Sequence, residues 1–137
     1  MPADKLFSTE IEIRISDINY GGHLANDAVL SIAHEARLRF LKEYNYSENN
    51  IEGYGLIMID AAIIYKSEAF YGDRLKVEIA INEVSRLGFE LFYLLKNSIT
   101  KKDVAIVKTG LAFFNYELHK IVSTPEKFAA NFLKQTM

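Results

Sequence analysis

From Thr9 to Ile15 the chain alternates, with Ile11, Ile13 and Ile15 on one side and Glu10, Glu12 and Arg14 on the other, the period of two that a half-buried strand requires. A polar, glycine-bearing stretch follows, Ser16-Asp17-Ile18-Asn19-Tyr20-Gly21-Gly22-His23, and Asn26 or Asp27 stands where a helix N-cap would stand. The period then becomes helical to about Tyr44. Val29, Ala33, Ala36 and Phe40 form one stripe, and Leu30, Ile32 and Leu41 widen it, which predicts a largely buried helix. Asn45 to Gly55 carries no sustained period and reads as a loop. Beyond it the chain is β: Leu56 to Phe70 is Ile-rich on both faces, Leu75 to Val84 alternates, Phe89 to Lys96 is aromatic and leucine-rich, and Val104 to Asn115 alternates again. The joins at Tyr71-Gly72-Asp73, Arg86-Leu87-Gly88 and Thr100-Lys101-Lys102-Asp103 are short enough to make neighbours antiparallel. Pro125 opens a short terminal helix with Phe128, Ala129 and Phe132 inward.

One strand, one long helix and four antiparallel strands make an α+β order. The simplest burial curls a five-stranded antiparallel sheet around the helix in a single domain over residues 1–137. In Leu56 to Tyr65 strict alternation sets Ile57, Ile59 and Ile63 against Met58, Ala62 and Ile64, leaving more apolar surface than one helix layer covers. A second copy of the chain is the expected cover, giving a homodimer or a homotetramer of two dimers. Asp60, which breaks the apolar run, is then expected near that interface or the pocket, because an unpaired carboxylate in a dry core is costly.

Composition narrows the field. The net charge of -2 and the lack of a local basic patch argue against nucleic acid as a partner. No cysteine is present, which removes disulfides, thiolate metal sites and cysteine nucleophiles. His23, His34 and His119 show no ligand spacing, so no metal is expected. No apolar run is long enough for a bilayer, and residues 1–10 lack a signal-peptide core; the expectation is a cytoplasmic protein without membrane contact.

The chemistry-bearing residues cluster at the first strand's end and on the helix: Asp17, then Gly22-His23-Leu24-Ala25-Asn26, then Glu35-Ala36-Arg37. This order resembles the hotdog-fold thioesterases of the 4-hydroxybenzoyl-CoA thioesterase type, which carry an Asp after the first strand, a Gly-His-Val-Asn-Asn-like start to the helix and a Glu-Ala-Arg upon it. Tyr65 to Leu75, reading Tyr-Lys-Ser-Glu-Ala-Phe-Tyr-Gly-Asp-Arg-Leu, resembles a second segment of that family. Ala25, Ile64 and Ala69 depart from its pattern and leave the acyl preference open. The resemblance implies a cofactor-free hydrolase acting on an acyl-CoA or acyl-carrier-protein thioester, with a site shared between subunits. Asp17 would attack directly or act as general base on water. Backbone N–H groups at the helix start, around Gly22, His23, Leu24 and Ala25, would hold the carbonyl oxygen as it gains charge. Asn26, Asp60 and Tyr65 would meet the substrate.

Each residue also has an ordinary reading. Asp17 suits a turn, His23 a hydrogen-bonded helix start and Asn26 a cap. Glu35, expected inside a buried helix, needs a partner such as Arg37 or a neighbouring subunit, and structural use is set ahead of catalysis there. Phe89, Phe92 and Tyr93 read as core. Lys66, Arg74, Arg86, Lys101 and Lys102 could meet CoA phosphates but equally read as solvated turn residues. Two rival functions are a hotdog hydratase or dehydratase pairing Asp17 with His23, and a non-catalytic acyl-CoA-binding member of the fold.

Overall fold

The computed structural model describes residues 5–132. Six strands form one antiparallel sheet: β1 (Phe7–Glu12), β2 (Gly55–Tyr65), β3 (Arg74–Ser85), β4 (Gly88–Asn97), β5 (Asp103–Asn115) and β6 (Lys120–Val122), in the order β1-β3-β4-β5-β2 with β6 on the far end of β5. The long helix α1 (Asn26–Glu43) and the short α2 (Glu126–Phe132) complete an α+β domain. The five expected strands are present. β6 is additional, pairing Val122 with Phe113 and Lys120 with Asn115. Three residues after a turn are too few for a period to register. Among the described residues no helix is long and apolar enough to cross a membrane.

β1 ends earlier than its alternation predicts. Ile11 and Ile13 are buried, but Ile15 is exposed, because the chain leaves the sheet after Glu12 and turns through a short 3-10 segment, Ile15–Asp17. The Asp17 carboxylate takes the Arg14 backbone N–H at 2.8 Å, removing the donor that would have continued the strand. β2 likewise ends at Tyr65, and the Lys66 and Ser67 N–H groups both turn to the Val104 carbonyl.

α1 is amphipathic rather than largely buried. Ala28, Val29, Ile32, Ala33, Ala36, Arg37, Phe40 and Leu41 are buried, while Ser31, His34, Glu35 and Leu38 face outward. It packs on β1, β3 and β5. At its C-terminal end, α2 closes the core: Phe128 lies 4.7 Å from Phe89 and 5.1 Å from Phe113, and Phe132 lies 5.9 Å from Phe40, all between ring centroids. Phe89 and Tyr93 are core as expected, with Phe92 half-buried on the sheet's other face and Ala129 half-buried beside α2's inward phenylalanines.

β2 breaks the alternation its sequence suggests. Opposite β5, Leu56 meets Phe113 and Met58 meets Leu111, but the next pairs are Asp60 with Gly110 and Ala61 with Thr109, so Ile59 is an extra residue in a bulge. Directly opposed residues share a face. Met58, Ala61, Ile63 and Tyr65 therefore look toward the helix side, and Ile57, Asp60, Ala62 and Ile64 toward the other, a different grouping from strict alternation. Asp60 clamps the bulge: its Oδ1 accepts the Gly110 N–H at 3.1 Å and the Lys108 ammonium at 3.0 Å. A Cβ at Gly110 would stand 2.7 Å from that oxygen, so glycine is what admits the carboxylate.

A charged network crosses the core. Arg37 donates from Nε to Glu48 at 2.8 Å and from a terminal nitrogen to the Tyr93 hydroxyl at 3.0 Å; Tyr93 in turn bonds Thr109 at 2.7 Å, and His34 bonds the other Glu48 oxygen at 2.7 Å. Burial pushes the Glu48 carboxyl up, but the hydrogen bonds from Arg37 and His34 outweigh it and hold the group below its ordinary value of 4.5. A depressed folded pKa supplies stability that is present above the ordinary value and is lost as pH falls through the folded one. The denaturant midpoint should accordingly drop as pH is taken below the ordinary carboxyl range. Glu48→Gln should cost roughly 1–3 kcal/mol at neutral pH and flatten that acid slope; an unchanged slope in urea titrations would remove Glu48 from it.

Candidate active site

The turn between β1 and α1 is built on Asp17. Besides the Arg14 N–H, its carboxylate accepts from the Arg14 guanidinium, at 3.4 Å from Nε and 3.3 Å from a terminal nitrogen, and the hydrogen bond to Asp17 holds that guanidinium above its ordinary value. The Asp17 main-chain carbonyl accepts the Ala25 N–H at 2.9 Å. One residue thus ends the strand and anchors the helix start. Asp17 is 4% exposed, and what remains open faces a cleft of about 300 Å³ lined by Ile11, Arg14, Ile32, Glu35 and Arg39.

Within the turn, Asn19 accepts the Gly21 N–H through its side chain at 2.9 Å and the Gly22 N–H through its carbonyl at 3.0 Å. Gly22 sits at φ +80°, the left-handed region, with nothing near the place a Cβ would take. The His23 ring lies under Gly21 with Nδ1 3.4 Å from the Leu24 carbonyl oxygen. Leu24 donates its N–H to the Ala69 carbonyl at 2.7 Å. The Leu24 and Ala25 N–H groups are therefore engaged within the chain, contrary to the expectation that they stand free for a substrate oxygen. The unspent donors lie one step further along: among the described residues, no acceptor meets the N–H of Asn26 or Asp27. Ala25, not Asn26 or Asp27, is the N-cap, and no side chain caps the helix. The first-turn donors thus keep the partial positive charge of the helix end.

A second cleft of about 250 Å³ lies on the β2 side of that helix start, lined by His23, Leu24, Asn26, Val29, Tyr65 and Val104 among others, with the Tyr65 hydroxyl donating to the Asn26 carbonyl at 3.2 Å. The candidate residues therefore divide. Asp17 and Glu35 share one cleft, His23, Leu24, Asn26 and Tyr65 share the other, and the turn through Gly22 and Ala25 joins them. Asp60 stands apart, on the outer face of the sheet. Glu35 is exposed and paired with Arg39 at 2.9 Å, not with Arg37, whose partners are Glu48 and Tyr93. Arg14 is the site residue that sequence reasoning missed; its three-residue spacing from Asp17 was the available signal. A wider cleft of about 660 Å³, lined by Tyr44, Tyr46, Asn50, Lys127 and Asn131 among others, contains none of the candidate residues. Among the described residues no group of three or more His, Asp or Glu side chains is gathered as a metal site would need.

The antiparallel sheet with one long helix is an α+β architecture, and comparison with known proteins finds the same architecture among hotdog thioesterases. The family model of the Thioesterase-like superfamily matches residues 13–132. An Aquifex aeolicus (strain VF5) protein named "Putative esterase" is 32% identical over 95 residues, covering 68% of this chain and 71% of its own. A 1,4-dihydroxy-2-naphthoyl-CoA thioesterase from Synechocystis superposes with TM-score 0.84 at 22% identity, covering 93% of this chain and 95% of that one. A Staphylococcus aureus protein solved in complex with CoA gives TM-score 0.84 at 19% identity, covering 97% and 87%. The chain belongs to the Thioesterase-like superfamily, and thioester hydrolysis is its class of reaction.

Gly22→Ala meets no neighbour, so its cost should be conformational only, about 1–2 kcal/mol for a left-handed non-glycine residue, with Gly22→Asn costing less. Denaturant unfolding of the pair checks this; an alanine variant as stable as the parent would mean the turn relaxes to another conformation.

Proposed function

We propose that the chain hydrolyses an acyl-CoA thioester, the acyl-carrier-protein thioester being the other handle of the same chemistry, on a sheet curled around α1 in the hotdog manner. The observation that carries this reading is the bond from the Ala25 N–H to the Asp17 carbonyl, which ties a buried carboxylate to a helix end with unspent N–H donors. Asp17 supplies the attacking oxygen, or takes a proton from the water that attacks. The Asn26 and Asp27 N–H groups hold the carbonyl oxygen as the tetrahedral intermediate forms, a kind of donor whose removal in other enzymes costs about 2.7–4 kcal/mol. Arg14 orients the Asp17 carboxylate. CoA as the thiol is supported by the names and the bound ligand of the structural relatives. The hydratase reading needs Asp17 and His23 to handle a proton and a water at adjacent carbons of one substrate, and the two line different clefts.

The site is completed by a second subunit. β2 is an edge strand of 11 residues, with Met58, Ile59, Ile64 and Tyr65 each about half exposed or more. A long apolar edge left open is an invitation to pair with another strand. Edge-to-edge pairing of two β2 strands covers it and sets a wall from the partner near each helix start.

Asp17→Asn should leave fold and assembly intact and lower kcat by orders of magnitude on acyl-CoA substrates, since the amide keeps the shape and loses the basic oxygen. Glu35→Gln removes only a surface pair worth about 0.3–0.5 kcal/mol; if it abolishes turnover while Asp17→Asn does not, the carboxylate has been assigned to the wrong cleft. Ile59→Lys should sediment as a monomer and lose activity together with the dimer. A 15.6 kDa monomer with full activity would sink the shared site.

A further inference from the structure

α1 packs on β1, β3 and β5, and the helix-facing residues of β2, Met58, Ala61, Ile63 and Tyr65, are half-buried or exposed, with the cleft at Asn26 and Tyr65 at one end of that face. Near the Met58 end lies a small cleft of about 190 Å³ lined by Leu30, Ser31, His34, Arg37 and Met58. Arg37 is unusual there. Its side chain is only 8% exposed, yet a guanidinium has five N–H donors, and among the described residues only one at Nε and one at a terminal nitrogen find an acceptor. Arg37 is one of the five residues that line the cleft. An open sheet face with the proposed thioester donors at one end and a partly engaged guanidinium at the other would act as a molecular ruler.

We propose that Arg37 reads the far end of the acyl group, and that the preferred substrate carries a neutral oxygen, a hydroxyl or keto group, at that end. This rests on the acyl-thioester reading given above. The length follows from the helix: Asn26 and Arg37 are 11 residues apart in α1, about 16 Å along the axis at 1.5 Å per residue. The charge argument selects a neutral group. Glu48 already pairs with Arg37, so a carboxylate arriving there would bring a second anion beside Glu48, whereas a hydroxyl or keto oxygen accepts the free N–H groups and adds no charge. Leu30 and Met58 supply apolar walls for the chain leading to it.

The test measures kcat/KM for CoA thioesters of straight-chain acids from octanoyl to hexadecanoyl, each with and without a terminal hydroxyl, beside calorimetric binding of the matching free acids. At one chain length the hydroxylated substrate should be preferred about tenfold or more. That preference should fall to near parity in Arg37→Met, and also in Met58→Trp, which fills the cleft from β2 and leaves the guanidinium in place. No preference at any length, or a preference that survives either substitution in a folded protein, overturns the proposal. Because Arg37 belongs to a buried network, circular dichroism accompanies each variant; if Arg37→Met does not fold, Met58→Trp decides alone. Failure to hydrolyse any thioester would strike the functional reading instead, and the calorimetric comparison of hydroxylated and plain acids would still decide the role of Arg37.

Discussion

Two hydrogen bonds made by one residue govern the rest of the molecule. The Asp17 carboxylate takes the backbone N–H of Arg14, and the Asp17 carbonyl takes the N–H of Ala25. The first ends β1 and turns the chain out of the sheet. The second fixes where α1 begins, which leaves the Asn26 and Asp27 donors as the free end of the helix. Burying a carboxylate is costly unless donors meet it, and here backbone and guanidinium supply them together. The group that the proposed chemistry needs is thus also the one that folds the site, so the local stability of the turn and its reactivity are coupled.

The opposite side of the helix start is shaped by a defect in the sheet. The bulge at Ile59 reverses which residues of β2 look toward α1, and the Asp60 carboxylate holds it open against the Gly110 N–H and Lys108. An apolar strand broken by one acid therefore has a mechanical explanation. The bulge turns Ala61, Ile63 and Tyr65 toward the helix side and leaves apolar residues on the edge strand, where the proposed second subunit would pair. The proposed catalytic carboxylate and the cleft walled by Tyr65 of β2 both lie against the first turn of α1, from different parts of the chain.

The order of elements, the α+β class and the turn between Asp17 and Asn26 were legible in the sequence, because alternation, helical period and glycine-bearing turns are local signals read over a few residues. The motif resemblance brought out the family through the same short-range spacing. What misled was also local. Ile15 continues an alternation that the Asp17 side chain interrupts, Glu35 shares a helix with Arg37 but pairs with Arg39, and the helix start was assigned free donors that Ala69 and Asp17 in fact occupy.

Only the tertiary structure decided the partners that lie far apart in the chain. The Arg37 network joins α1 to the loop at Glu48 and to β4 and β5; the Asp60 clamp reaches across to β5; the two clefts fall on opposite sides of α1 because β1 and β2 are the two edges of the sheet. Register, bulge position and side-chain pairing are set by which of many similar apolar faces pack together, a choice that depends on the whole core at once. The chemical type of each residue and its local period belong to the sequence; the company each residue keeps belongs to the fold.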